Sequence, residues 1–431
     1  MDLSVLKILA IINVFLFFIF MFITKKDKNR LFIKFVLLTY PLMSINIYGE
    51  LSSFDSLCIL FFLFFYKMRL TEHKISIFYT VIFFIYAVSV FWGIVSADFK
   101  IDIASIHLFI SVLTIFFFSK LLIDECLFIP DLFYSIIHYL KIMLVFSFIF
   151  LIIQFFIGPQ FSLSNYQNPN IVSSEGIRYP SFLSDPQVYS QFLGSIGFVS
   201  LINVKKNKGF HSNKYVLSIL CMFGILIAGG RAGLLGLFTG FAFLLLFSNW
   251  NFRFSFIFLA ISLYFIVIFF FNEMIIFKRG TNLNDAYVFR NSVWKDAFKI
   301  FSLHPFFGIG MGNYTNYVAI HNPDQVWLRD NEYITFDHPE SGYLKILSET
   351  GILGFTCFAL LFINPILNGI KHYIFKKDNI VILLISALIC WLVGFYSTFS
   401  LGETRLKILV VTILSLLIVR LSLLNSNRVN V

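Results

Sequence analysis

The sequence predicts an all-α polytopic membrane protein, and three observations predict it. Of 431 residues, 58% are hydrophobic and 13% charged, with a mean hydropathy of +0.85, whereas soluble domains carry about 25% charged residues. The apolar residues fall in runs close to the roughly 20 residues that cross a hydrocarbon core as helix. The charges between the runs are unevenly distributed. Together these exclude a water-soluble globular domain, a disordered chain, a collagen and a disulfide-stapled module. The net charge of +10 then reads as an orientation signal and implies no nucleic acid.

Charge clusters divide the chain into about 13 candidate spans: 3–23, 31–48, 51–66, 75–95, 103–123, 140–157, 186–204, 215–229, 232–248, 254–271, 351–374, 379–399 and 406–424. Residues 31–66 are nearly uncharged and as one helix would run about 54 Å, too long for one crossing. Pro41, Gly49, Glu50 and Asp55 break that run in two. The sequence Gly229-Gly230-Arg231-Ala232-Gly233 divides 215–248 in the same way. Asp185-Pro186 reads as a helix start, with Asp as cap and Pro in the first turn. With the N-terminus outside, eighteen basic residues fall in one set of connections and five (Lys100, Arg178, Arg231, Arg405, Lys407) in the opposite short ones. The positive-inside rule therefore places the C-terminus in the cytoplasm. The first run precedes its charges and has no small-residue cleavage site, so it reads as an anchor and not a signal peptide.

Four regions follow: N-terminal helices over 1–157, a first outer loop with central helices over 158–271, a large outer loop over 272–350, and C-terminal helices over 351–431. The long connections 158–185 and 272–350 both fall on the outer side, which is where function is expected. A 79-residue connection needs structure of its own. Phe289, Val293, Ala297 and Ile300 form an amphipathic stripe over 288–301. Pro305, Gly308, Gly310 and Gly312 then make a tight turn, and a second helix begins near Glu340 and runs into the span at 351.

Arginine is the informative residue on this face. Arg231 sits between two spans with no acid nearby in sequence, a costly position unless partnered. A guanidinium fork suits phosphate oxygens, and Arg178 and Arg290 lie on the same side. Three such residues around one outer cavity would hold a lipid diphosphate. The alternative is that Arg231 snorkels to the interface and Arg290 meets lipid headgroups. A general base is sought among Asp337, His338, Glu340 and Glu349. The plain alternative, a solvated acidic turn that caps the next helix, stands ahead of it on the residues alone. His304, His321 and His338 have no metal-ligand spacing. The run Gly308-Ile309-Gly310-Met311-Gly312 lacks the βαβ setting of a nucleotide loop. The five cysteines form no CxxC pair and read as inert apolar packing. No metal or other cofactor is expected.

Four segments carry a resemblance. They are Arg178 with Pro180-Ser181-Phe182 and Asp185-Pro186; Gly230-Arg231-Ala232-Gly233-Leu234-Leu235-Gly236; Arg290 and Trp294 followed by His304-Pro305-Phe306-Phe307-Gly308-Ile309-Gly310-Met311-Gly312-Asn313-Tyr314; and Glu340-Ser341-Gly342-Tyr343-Leu344 with Glu349, Gly351 and Gly354. In this order, on one face, they resemble the O-antigen polymerase and O-antigen ligase superfamily of Wzy-type membrane glycosyltransferases. The resemblance covers about residues 165–365. Ligases of that family have histidine three residues before Tyr-Leu; here Glu340 stands there and His338 two residues earlier, so the base is one or the other. Gly230 replaces the usual hydroxyl residue before Arg231, and the first span is an addition to a twelve-helix plan.

What the resemblance implies is a C-type membrane glycosyltransferase architecture and metal-independent glycosyl transfer in the inner (plasma) membrane, with its site on the periplasmic face. An undecaprenyl-diphosphate-linked glycan would be the donor, and a second one the acceptor. Arg178, Arg231 and Arg290 would bind the diphosphate, and Glu340 or His338 would deprotonate the acceptor. Tyr179, Trp294, Tyr314 and Tyr343 would line the sugar path. Membrane lipid and a chain-length regulator protein are the other expected partners. A repeat-unit polymerase comes first, a ligase onto lipid A–core second, and a lipid-linked sugar flippase or transporter third. A transporter should carry acids within several spans and short loops on both faces.

Overall fold

A computed structural model describes residues 3–24, 27–67, 74–96, 103–163, 171–173, 176–203, 214–247, 283–321, 326–329, 332–335 and 339–426. It is an all-α polytopic membrane protein. In chain order the helices are α1 (Leu3–Ile23), α2 (Lys28–Leu38), α3 (Ser53–Phe64), α4 (Lys74–Ser96), α5 (Ile103–Phe128), α6 (Pro130–Ile157), α7 (Pro186–Ser200), α8 (Lys214–Ala228), α9 (Arg231–Phe247), α10 (Leu283–Leu303), α11 (Tyr314–His321), α12 (Gly342–Lys376), α13 (Asn379–Tyr396) and α14 (Thr404–Ser426). Helices α1, α4, α5, α6, α12, α13 and α14 are long and apolar enough to cross a membrane. Helices α3, α8 and α9 are apolar but shorter. Three antiparallel strand pairs, Asn46–Tyr48 with Leu51–Ser52, Val172–Ser173 with Gly176–Ile177 and Val326–Arg329 with Glu332–Thr335, are the sheet among the described residues. The expected span 254–271 lies outside the described residues.

Side-chain contacts sort the helix ends into two sets. At one end Asn29 bonds the Lys67 carbonyl (2.9 Å) and Glu125 (2.7 Å), Lys141 the Ile202 carbonyl (2.7 Å), and Arg420 pairs with Asp378 (2.7 Å). At the other, the Glu50 N–H bonds His107 (3.2 Å), Arg178 the Ala228 carbonyl (3.2 Å), and Ser184 bonds Glu403 (2.6 Å). Successive long helices thus run in alternate directions. Both long connections lie at the second end, called the loop end below.

Residues 28–67 depart from two plain spans. Asn29 sits beside Glu125 and Glu50 beside His107, eighteen residues apart on α5, or about 27 Å. Neither α2 nor α3, at eleven and twelve residues, reaches that far. The remaining depth is crossed by residues 39–52 without α-helix. Backbone of that kind is tolerated at membrane depth only where protein covers it. Tyr40, Met43 and Ile45 are fully buried, and the freed amides bond locally: Met43 to Tyr40 (3.1 Å), Ser53 to Ile45 (2.9 Å), Phe54 to Met43 (3.2 Å).

Glu403 and Arg405 lock this segment down. Their ion pair is 2.7 Å long and almost fully buried. Arg405 donates to the carbonyls of Pro41 (3.2 Å) and Phe182, and Tyr40 donates to the Arg405 carbonyl (2.5 Å). Glu403, in the turn before α14, accepts from Ser184 and Ser44. Burial alone would raise its pKa, but the Arg405 charge and these donors hold it down at about 2, against an ordinary 4.5. A depressed carboxylate stabilises the fold above its unfolded pKa, and that stability is lost as pH falls through the folded value. Thermal unfolding in detergent is therefore expected to lose on the order of 3 kcal/mol of stability between about pH 4.5 and 2. A Glu403→Gln variant should start less stable and show a flatter profile over that window.

Candidate active site at the loop end

Three tight segments build the site. The first is the α8–α9 turn. Gly229 takes φ +64 and Arg231 opens α9, where the sequence predicts the break. A Cβ at Gly230 would lie 2.0 Å from the Ser190 hydroxyl, and one at Gly233 2.3 Å from the Ser190 backbone. Only glycine lets α9 sit this close on α7. The hydroxyl that the resemblance expects at position 230 is absent, and Ser190 of α7 fills that space. Helix α7 is itself fixed by Asp185, whose Oδ1 accepts from the amides of Gln187 (2.5 Å) and Val188 (3.3 Å), with Pro186 in the first turn. This is the predicted cap.

Arg178 is 1% exposed. Its guanidinium donates to the carbonyls of Ala228 (3.2 Å) and Gly229 (3.4 Å), groups that the end of α8 leaves without helical partners. It therefore holds the turn that presents Arg231. Arg231 itself is exposed at the first position of α9. Tyr179 is half-buried and packs against Phe155 at 6.0 Å.

The second segment pairs α10 with the start of α12. Val293, Ala297 and Ile300 are buried along α10, as the predicted stripe requires. Arg290 lies off that face and its Nη2 is 3.5 Å from Glu340 Oε2. Glu340 adopts φ +50, which is uncommon for a residue with a side chain. One turn along α10, Trp294 meets Tyr396 edge-on at 5.7 Å. Tyr343 donates to the Leu392 carbonyl (2.7 Å) and packs edge-on to Phe395 (5.2 Å). The end of α13 continues to Thr398, which donates to Gln187 (3.2 Å) one turn before Ser190. The Arg231 turn and the Arg290–Glu340 pair thus flank the same end of α13. His338 lies outside the described residues.

The third segment is a clasp. Gly308, Gly310 and Gly312 take φ of +69, +87 and +86. Ile309 and Gly310 donate to the carbonyls of Ser348 (3.1 Å) and Glu349 (3.0 Å), and Ile352 to Pro305 (2.8 Å). Gly351, at φ +63, kinks α12 at this point, so one helix serves the loop before it and the membrane after it, as expected from Glu340 onward. Glu349 is buried and accepts from the Tyr314 amide (3.4 Å), with Lys345 at 3.8 Å. Tyr314 is 1% exposed and packs with Ala297, Ile300, Ile309 and Val318. Burial, with Asp296 and Glu349 nearby, pushes its phenol up. Its position is that of a packing residue. His304 and His321 both lie against Tyr317, and no group of three potential metal ligands occurs among the described residues.

Sequence reasoning missed Ser190, whose position depends on packing between helices. It counted Arg405 only as a charge on the outer side.

Residues 216–359 match the family model described as O-antigen ligase. That segment holds the Arg231 turn, the Arg290–Glu340 pair and the glycine clasp. No curated protein matches the chain.

Proposed function

We propose that this chain, which carries a domain of the O-antigen ligase and polymerase superfamily, polymerises undecaprenyl-diphosphate-linked repeat units on the periplasmic face of the inner membrane. The observation that supports it is the placement of Arg231 and of the Arg290–Glu340 pair about one end of α13. The acceptor hydroxyl oxygen, on a second lipid-linked unit, bonds to the anomeric carbon of the donor glycan. The bond from that carbon to the diphosphate oxygen breaks, and the diphosphate leaves with the electron pair. Arg231 and Arg290 stabilise the charge that develops there. Glu340 or His338 takes the hydroxyl proton. Arg178 keeps the Arg231 turn in place, and Trp294 lines the sugar path beside Arg290. Metal is not needed for such a step, since guanidinium groups supply the positive charge. The N-terminus lies outside and the C-terminus in the cytoplasm, and a chain-length regulator is a natural partner.

Deletion of the gene with glycan profiling tests this. Loss of long chains, with one repeat unit kept on the core, is expected. Loss of every repeat from the core, with lipid-linked polymer accumulating, would make the protein a ligase, with Glu340 in the place of the histidine. Loss of every repeat from the core, with single lipid-linked units trapped in the cytoplasmic leaflet and no lipid-linked polymer, would make it a flippase.

A further inference from the structure

The first turn of α12 is unusual in what it leaves unpaired. Ser341 is the N-cap residue, at φ −154 and ψ 122, a backbone conformation in which the hydroxyl ordinarily accepts from a first-turn amide. It accepts from none. Ser341 is 1% exposed, and its Oγ has no hydrogen-bond partner. The first i to i−4 bond of the helix is Lys345 N–H to the Ser341 carbonyl (3.1 Å). The amides of Gly342, Tyr343 and Leu344 therefore lack helical partners, and among the described residues none accepts from them. Gly342 is buried, with the Phe395 ring where its side chain would be. A buried hydroxyl is nearly always paired, because one left unpaired has lost its water without replacement. The Ser341 hydroxyl is the departure: it is buried and unpaired beside first-turn amides that have no helical partner. Glu340, the residue just before, holds the Arg290 guanidinium at 3.5 Å.

We propose that the first turn of α12 is an oxyanion-binding site in which the amides of Gly342, Tyr343 and Leu344, the Ser341 hydroxyl and Arg290 together hold a phosphate oxygen. The proposal rests on the functional reading above and adds a second anchor for the diphosphate, distinct from the Arg231 turn. Helix N-termini bind anions because their amides point outward and the helix dipole favours negative charge. The same amides explain why Arg290 is paired with Glu340: an arriving phosphate takes the guanidinium and releases the carboxylate beside the reacting sugar. A carboxylate on an acidic sugar offers the same oxyanion chemistry, so the test separates the two sources.

Binding of inorganic pyrophosphate to the purified full chain in detergent is measured by calorimetry, beside glucuronate, for the wild type, Ser341→Ala and Ser341→Asp. Ser341→Ala removes an unpaired buried hydroxyl, so it should unfold at an equal or higher temperature yet bind pyrophosphate about tenfold more weakly. Aspartate is among the best N-caps and stabilises a helix N-terminus. Ser341→Asp should therefore be at least as stable, while its carboxylate fills the site and weakens binding by about a hundredfold or more. Wild-type affinity in both variants, or no pyrophosphate binding by the wild type, overturns the proposal. Binding of glucuronate but not pyrophosphate overturns the phosphate assignment in favour of a sugar carboxylate. If both variants bind normally while Arg231→Ala abolishes polymer, the functional reading stands and this inference falls.

Discussion

Replacing Arg231 with alanine is expected to abolish long-chain polymer while the protein folds and inserts normally. Removing one group that stabilises developing negative charge costs about 10²–10³ in rate. The side chain is exposed at the first position of α9, so its loss opens no cavity in the core. The turn beneath it is held by other residues: Gly229 at φ +64, the Ser190 backbone against Gly233, and the Arg178 guanidinium on the carbonyls of Ala228 and Gly229. Unfolding temperature should therefore change little. Arg231→Lys should keep a fraction of the activity, because an ammonium carries the charge but not the bidentate fork. Glycan chain length on gels, with in vitro turnover of lipid-linked units, reads both. Full-length polymer from Arg231→Ala would remove the diphosphate role from this residue. Arg178→Ala should behave differently, losing stability as well as activity, because the same two carbonyls lose their donor.

The largest expected effect on stability is at Arg405. Arg405→Ala leaves Glu403 buried without its charge partner, a change that costs about 3–5 kcal/mol. It also strips a donor from the carbonyls of Pro41 and Phe182. Those carbonyls belong to the non-helical crossing over 39–52 and to the turn before α7, so both should loosen together. The expectation is a protein that accumulates poorly and unfolds at markedly lower temperature in detergent. Arg405→Met with Glu403→Gln should recover part of the loss, since it removes the unpaired charge as well. A single Arg405→Ala as stable as the wild type would show that the pair contributes nothing to the packing of these segments.

Much of the site's local structure was legible because it rests on residues with strong backbone preferences. Gly229 and Gly230 mark the α8–α9 break, Asp185-Pro186 the start of α7, and Val293, Ala297 and Ile300 the buried face of α10, where a polar opposite side gives the stripe contrast. Inside the bundle that contrast vanishes. Helices such as α5 and α6 carry apolar residues on every side, so the pattern does not say which face meets which neighbour. The non-helical crossing at 39–52 was visible only as a break at Pro41 and Gly49. Its cover comes from Arg405 and Phe182, more than a hundred residues away. Ser341 was quoted only as a letter in a motif. Its importance lies in bonds it does not make, and no pattern of residues encodes that.

The layout of residues 28–67 also bears on how the chain is threaded during synthesis. Asn29 and Lys67 are hydrogen-bonded to each other, so this segment leaves the bundle at the end where it entered. Whatever its two halves are counted as, they add an even number of crossings. The unit is neutral in the parity that decides on which side every later element emerges. It can be gained, lost or delayed in insertion without inverting the rest of the protein. The helix before it has no such freedom: α1 crosses once, and the sidedness of the N-terminus depends on it.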